Sequence, residues 1–150
     1  MPKERPNVIP AVYLVLKKGD QILLSRRCNT GYQDGMYGFP AGHLNNDEET
    51  FRQAMVREAK EEIGIEIDLF DLVLVHIMHR KQQEPTEERR ISLFFAVKKW
   101  RGNPKVLEPS KCDDLNWFNI DSLPDNTINY IKQAINCIKN NIVYSEYGWQ

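Results

Sequence analysis

The strongest structural signal in the sequence is the segment 47–63, which predicts an amphipathic helix. Asn46, followed three residues later by Glu49, fits a capping box at the helix start, and Gly64 suits the left-handed position just past its end. Four residues that recur at helical spacing form an apolar stripe about 120° wide: Phe51, Met55, Ala59 and Ile63. Such a stripe requires a second layer of structure to cover it.

The remainder of the chain predicts mostly strands. Residues 8–16 and 21–27 flank a Lys-Lys-Gly-Asp turn and predict a hairpin, and a loop rich in Gly, Asn and Asp follows. Further strands are expected over 65–69, 72–79, 91–100 and 115–120, and a second amphipathic helix over 127–142. This order favours an α+β fold in which helices cover a mixed sheet.

Composition limits the classes of protein that remain. A length of 150 residues without repeats or linkers predicts one domain over 1–150, and a net charge of −1 argues against a protein that coats nucleic-acid polymers. Three cysteines without a CxxC pair argue against a disulfide framework or a zinc site. With no signal core and no apolar run long enough to cross a bilayer, we expect a cytoplasmic protein without membrane contact.

Three glutamates near the end of the first helix carry the chemical signal. Glu58, Glu61 and Glu62 fall within about one 100° sector, although like charges at this spacing repel and carboxylates oppose the helix dipole there. A hard divalent cation such as Mg²⁺ would reverse these penalties. The alternative is an ordinary solvated face in which Arg57 pairs with Glu61, and the three glutamates by themselves favour that alternative.

The residues around the glutamates resemble the Nudix box. The stretch from Arg57 to Ile65, Arg-Glu-Ala-Lys-Glu-Glu-Ile-Gly-Ile, matches the second half of the family pattern at every specified position. The first half departs from it, because six residues instead of five separate Gly42 from Glu49. Glu48 would restore that gap but leaves eight residues before Arg57 instead of seven. We favour Glu49, since a loop absorbs an insertion more easily than a helix does.

Flanking segments extend the resemblance from about residue 8 to residue 140. They are the Gly-Phe-Pro-Ala-Gly approach at 38–42, the strand at 23–27, and the later strand and turn at 115–118 and 121–124. The resemblance implies the Nudix fold, a mixed β-sheet sandwiched between α-helices.

The resemblance also implies a metal site. Carried over by position, the metal ligands are Glu58, Glu61, Glu62 and the backbone carbonyl of Gly42, and the cation is Mg²⁺, with Mn²⁺ as a substitute. Arg57 would brace the cluster, and Glu58 or Glu61 would accept a proton from the attacking water. A further acidic ligand often lies outside the box in this family.

The extra ligand has several candidates in the sequence. Asp113, with Asp114 beside it, is best placed by its order along the chain, and Glu87 and Glu88 are the rivals. Solvated turns explain either pair equally well.

Four residues are candidates for substrate contact. Arg26 or Arg27 would contact phosphate, with at most one of them expected to face the site because strand residues alternate. Phe39 would stack on a base, although it also suits an anchor for the loop. Asn126 would bind a base edge or serve as the N-cap of the last helix. The aromatic tail over 144–149 is expected to pack back onto the domain.

The resemblance implies hydrolysis of a nucleoside diphosphate linked to another group, and the leading expectation is a nucleoside triphosphate pyrophosphohydrolase. The enzymatic alternatives are a nucleotide-sugar or ADP-ribose pyrophosphatase and, with thin support from Cys28 or Cys112, an isoprenoid diphosphate isomerase. The non-enzymatic alternative is a nucleotide-binding module. The expected partner is a small nucleotide and no nucleic-acid polymer, bound by a monomer or homodimer.

Overall fold

The computed structural model describes residues 2–81 and 88–149, which form eight strands and two α-helices. In chain order they are β1 (Ile9–Lys18), β2 (Gln21–Arg27), β3 (Tyr37–Gly38), β4 (Ala41–Gly42), α1 (Phe51–Ile63), β5 (Val73–Arg80), β6 (Arg90–Val97), β7 (Cys112–Asn119), α2 (Asn129–Lys139) and β8 (Tyr144–Tyr147). A 3₁₀ turn at Leu69–Asp71 precedes β5.

The strands join into one mixed sheet. Its order is β3-β2-β1-β6-β5-β8, with β4 paired to β1 and β7 paired to β2. The β1–β6 and β5–β8 pairs are parallel, whereas the other strand pairs are antiparallel. The predicted α+β class with a mixed sheet is confirmed.

Strand β1 is buried on both faces and separates two cores. One core takes Ala11, Tyr13 and Val15 and includes the buried face of α2. The other takes Val12, Leu14 and Leu16 and includes the buried face of α1. Because side chains alternate along the strand, β1 packs against one helix on each side of the sheet, which is the predicted sandwich.

The predicted hairpin forms, but its strands soon part. Pairing between β1 and β2 is recorded at Lys17–Ile22 and Lys18–Gln21, next to the turn. Beyond it, β1 pairs with β4 and β6, while β2 pairs with β3 and β7. The gap between the diverging strands is bordered by the loop that carries β3 and β4.

The start of α1 differs from the prediction. Thr50, not Asn46, is the N-cap, and it forms a capping box with Gln53. The predicted buried stripe is wrong at Phe51, which is 36% exposed, because the helix begins at this residue and its first turn projects past the core. Ala54 is buried in its place beside Met55.

Other boundaries were also wrong. The predicted strand over 65–69 is reduced to one bridge between Glu66 and Arg101. Helix α2 ends at Lys139, so Ile142 is 46% exposed and not part of a buried stripe. The tail packs back onto the domain as expected, as strand β8 beside β5. Within the described residues, no helix has the length and apolarity needed to cross a membrane.

Candidate metal centre and adjoining cavity

Helix α1 places Glu58 and Glu62 one turn apart beside the short strand β4. The backbone of Gly42 lies directly against the side chain of Glu58, and a Cβ atom at this position would overlap that carboxylate. Glycine is therefore required here for close approach of the backbone and not for an unusual φ angle. The contact brings a main-chain segment and two carboxylates to one place.

The two carboxylates lie in an unfavourable environment for negative charge. Burial, followed by the neighbouring Glu58, raises the pKa of Glu62 to about 8. Burial also raises the pKa of Glu58, although its ion pair with Arg57 acts in the opposite direction. A cation bound between them would offset this charge, so the donor set is that of a hard metal ion.

Arg57 connects the helix to the preceding loop. Its guanidinium forms a bidentate ion pair with Glu49, in which Nε and Nη2 donate to the two carboxylate oxygens at 2.7 and 3.0 Å. Nη1 donates to Glu58 at 2.7 Å and Nη2 donates to the carbonyl of His43 at 2.8 Å. Glu49, and not the exposed Glu48, therefore occupies the position opposite Arg57.

Glu61 lies at the edge of the cluster. Its side chain is 57% exposed and lies 3.3 Å from Arg57. Within residues 2–81 and 88–149, no three acidic, histidine or cysteine side chains converge closely enough to enclose a metal by themselves. Two carboxylates with a backbone carbonyl still fit Mg²⁺, which commonly keeps several water molecules and binds phosphate.

A cleft of about 160 Å³ adjoins the cluster and contains an acid that the sequence analysis missed. Glu58, Glu62 and Glu108 line it. Glu108 lies in the loop before β7, where its carbonyl accepts hydrogen bonds from the amides of Lys111 and Cys112. An isolated glutamate in a loop, far along the chain from α1, has no sequence signature that would have identified it.

The predicted extra ligands lie elsewhere. Asp113 pairs with Arg26 at 2.7 Å and does not line the cleft, so the structure does not bring it to the glutamates. Asp114 accepts hydrogen bonds from the Tyr37 hydroxyl and from Asn116. Of their rivals, Glu87 lies outside the described residues and Glu88 borders a second, larger cavity.

Both arginines at the end of β2 reach the cleft, contrary to the expectation from strand alternation. Arg26 and Arg27 each line it, because the pairing register between β2 and β7 shifts between these two residues. Arg26 is held by Asp113, whereas Arg27 donates to the Tyr32 carbonyl at 2.8 Å. Arg27 also lines the adjoining cavity.

A cavity of about 560 Å³ opens next to the cleft. The two spaces share five lining residues, Ser25, Arg27, Phe39, Ala41 and Lys111. Phe39 also packs edge-on against Phe94 and is 5% exposed, so it anchors the loop while bordering both spaces. The larger cavity further includes three tyrosines and three more cations, namely Tyr13, Tyr32, Tyr130, Arg80, Lys81 and Arg90.

Asn126 has a structural contact outside this cavity lining. Its side-chain amide donates to the Gly35 carbonyl at 2.8 Å. It is not the N-cap of α2, because Ile128 occupies that position without a side-chain cap. Asn126 therefore holds the loop before β3.

Comparisons with known proteins identify the family of the chain. The NUDIX domain model matches residues 7–136. The NAD-capped RNA hydrolase NudC of Stutzerimonas stutzeri is 28% identical over 119 residues, which cover 79% of this chain and 39% of that protein. NudC of Escherichia coli O9:H4 is 27% identical, with 79% and 42% covered. The chain thus spans about two fifths of these curated relatives.

Solved structures share the fold. The MutT NUDIX hydrolase of Burkholderia pseudomallei superposes with a TM-score of 0.78 at 24% identity, covering 89% of this chain and 98% of the other. A bifunctional NMN adenylyltransferase/ADP ribose pyrophosphatase of Francisella tularensis, complexed with AMP and a Mn ion, has a TM-score of 0.71 at 19% identity, with 93% and 43% covered. With the domain model matching most of its length, the chain belongs to the Nudix family.

Proposed function

We propose that this protein is a divalent-cation-dependent hydrolase that cuts a phosphoanhydride bond in a nucleoside diphosphate-type substrate. The observation that carries the proposal is the junction of the two spaces. A carboxylate-lined cleft opens directly into a larger cavity, with Arg27 and Lys111 at the shared wall. The diphosphate would lie at this wall, and the nucleoside would enter the aromatic cavity.

The chain's own groups divide into holding and positioning roles. Glu58, Glu62 and the carbonyl of Gly42 would hold Mg²⁺, for which Mn²⁺ is a substitute. When bound, the cation would neutralise charge on the phosphate oxygens and the leaving group. Arg57 fixes the rotamer of Glu58 through its 2.7 Å ion pair.

The group that accepts the proton of the attacking water is a separate assignment. We assign Glu61 this role because its side chain is 57% exposed and lies 3.3 Å from Arg57, whereas the side chain of Glu58 is 18% exposed and is held by Arg57 at 2.7 Å. Glu108 is the alternative candidate, since it lines the same cleft from the loop before β7. Replacing each by Gln and recording the pH profile of kcat identifies the base, because only loss of the base removes the acidic limb.

Two substrate classes follow. A nucleoside triphosphate, including a damaged one, is the leading class, and the cavity volume of about 560 Å³ suits one nucleotide. A dinucleotide or ADP-ribose is the second class, favoured by the NAD-capped RNA hydrolases among the relatives. Their name includes an RNA polymer, so capped RNA belongs among the test substrates despite the net charge of −1.

The test is a substrate panel with Mg²⁺. Triphosphates should give a monophosphate and pyrophosphate, and ADP-ribose should give AMP and ribose 5-phosphate. Glu62→Gln should lower kcat/KM by about 100-fold or more, while Glu66→Gln, an exposed glutamate in an ion pair with Arg101, should leave it unchanged. Absence of turnover with every substrate, while nucleotide still binds, would establish the binding-module alternative and overturn the proposal.

We also propose a reducing cytoplasmic setting and a monomeric or homodimeric state. Cys28, Cys112 and Cys137 are all free thiols, which is typical of reducing compartments. Light scattering of the purified chain measures its mass directly against the 17.6 kDa of one copy.

A further inference from the structure

Arg80 is a buried cation with no carboxylate partner in the part of the chain that the structure describes. It is 7% exposed, and no ion pair within the described residues includes it. Its three hydrogen bonds go to neutral hydroxyl groups, at 3.2 Å to Ser92, 3.2 Å to Tyr13 and 3.5 Å to Tyr32. Because a guanidinium has five N–H donors, two remain without an acceptor among residues 2–81 and 88–149.

The surroundings hold Arg80 in place without neutralising it. The ring of Tyr130 stacks on the guanidinium at 3.8 Å, and the hydroxyl contacts fix the plane of the group. A buried charge of this kind is costly unless it meets an opposite charge. The pre-positioned donors border the 560 Å³ cavity, so a ligand can supply that charge.

A second arginine lies directly across the sheet. Arg80 on β5 and Arg90 on β6 are register partners, and both line the cavity with Lys81 beside them. Like charges opposite each other in antiparallel strands are destabilising. Glu88 is the one carboxylate among the described residues that line this cavity, and no ion pair among those residues joins it to Arg80 or Arg90.

The position of these cations separates them from the diphosphate site. Arg27 and Lys111 line both spaces, whereas Arg80, Lys81 and Arg90 line the larger cavity and not the carboxylate cleft. A diphosphate held at the shared wall satisfies the first pair. Arg80 and Arg90 then face a part of the substrate other than the diphosphate.

We propose that Arg80 and Arg90 form a subsite for a phosphate group that is not part of the anhydride being cut. The matching substrate is a nucleotide with an additional phosphate monoester on its ribose. This inference rests on the proposed function, because it places the scissile diphosphate at the wall that the two spaces share. It narrows that function towards substrates with two separated anionic groups.

The test compares ligands that differ by one phosphate. Calorimetry of the full chain in EDTA would measure the Kd of ADP-ribose against its 2′-phosphate, and of dephospho-coenzyme A against coenzyme A. At least one phosphorylated partner should bind about tenfold or more tightly, as expected for charge-assisted hydrogen bonds. Equal affinities within both pairs would overturn the subsite.

Variants locate the effect. Arg90→Ala should abolish the preference for the phosphorylated ligand while leaving the affinity for its partner unchanged, and Arg80→Gln should do the same if it folds. Arg101→Ala, which removes an exposed arginine with a 70% exposed side chain, should leave the preference intact. Equal weakening of both ligands by Arg90→Ala would contradict the assignment. Because these titrations contain no metal, they are independent of whether the chain hydrolyses anything.

Discussion

At the residue scale, the candidate metal centre depends on a missing side chain as much as on the charged ones. Gly42 lets the main chain touch Glu58, and Arg57 holds the same glutamate from the other side. Arg57 also reaches back to the loop through Glu49 and the His43 carbonyl. One carboxylate is therefore fixed by contacts that come from both the loop and the helix.

Replacing Gly42 by Ala tests this close approach. The added methyl group would displace Glu58, so we expect the affinity for Mn²⁺, measured by calorimetry, to fall at least tenfold, by analogy with the loss of supporting contacts at other metal sites. Gly19→Ala is the control: its φ of +60° makes the substitution strain the β1–β2 turn and cost stability, but a Cβ there meets nothing within 4 Å, so the metal affinity should not change. Unchanged metal affinity in Gly42→Ala would show that the backbone contact does not shape the site.

The pKa of Glu62 predicts how metal-free stability depends on pH. Folding raises this pKa from 4.5 to about 8, so the folded state holds the proton more tightly than the unfolded chain does. The free energy of unfolding without metal should therefore fall as pH rises from about 4.5 through 8, by on the order of 5 kcal/mol for a shift of this size.

Mg²⁺ should reverse that trend because it binds the charged carboxylate. Its stabilising effect, measured as the increase in Tm, should grow between pH 6 and pH 8.5. Glu62→Gln should remove both pH dependences in this range. A Tm increase that is constant across the range would contradict the role of Glu62 as a titrating ligand.

At the element scale, the sequence predicted most of the long elements and few of their ends. Both Asn46 and Thr50 are good N-caps, and each has a glutamate or glutamine three residues later, so local chemistry does not choose between them. Tertiary contacts do, because Glu49 is already engaged by Arg57 and Asn45. The two-residue strands β3 and β4 have no periodicity to detect.

The cap at Thr50 has a measurable effect on α1. Its hydroxyl accepts from the Gln53 amide at 3.1 Å, and the Gln53 side chain accepts from the Thr50 amide at 2.9 Å. Thr50→Ala should lower the free energy of unfolding by about 1 kcal/mol in urea titrations. Asp47→Ala, at the predicted but incorrect start of the helix, should change it by less than about 0.5 kcal/mol. A larger loss of stability in Asp47→Ala than in Thr50→Ala would instead support a helix that starts at residue 47.

At the scale of the whole molecule, connections between distant segments define both the sheet and the site. Periodicity predicted that strands exist, but the parallel pairing of β1 with β6 and of β8 with β5 depends on tertiary packing. The glutamates of α1 were predictable because the Nudix box is local. Glu108 and Arg80 were not, since each reaches its cavity through strand order and loop paths that no local pattern encodes.

His76 links the C-terminal strand to the sheet and should make its docking sensitive to acid. Its ring nitrogens contact the Ile142 carbonyl at 2.7 Å and the Ser145 hydroxyl at 2.8 Å. Burial lowers the pKa of His76 below its usual 6.5, so the unfolded chain takes up a proton first as pH falls. Stability should therefore decrease as pH falls through about 6.5.

Urea unfolding at pH 7.5 and pH 5.5 measures this loss. His76→Gln should be less stable at pH 7.5 but should lose less on acidification than the wild type. His79 lies in the same strand and its ring contacts Trp149. As a control, His79→Gln should keep the wild-type difference in the free energy of unfolding between the two pH values. An identical acid response in His76→Gln would assign the effect to other groups.

Because β1 is buried on both faces, it is also a fixed reference for the two ends of the candidate site. Val12 is the register partner of Gly42, whose backbone touches Glu58, while the hydroxyl of the adjacent Tyr13 accepts a hydrogen bond from Arg80. Neighbouring Cα atoms are about 3.8 Å apart and point their side chains to opposite faces. The glutamate cluster and the Arg80 guanidinium are thus both anchored to adjacent residues of one buried strand, which holds the two ends of the site at a fixed separation for a substrate that spans both.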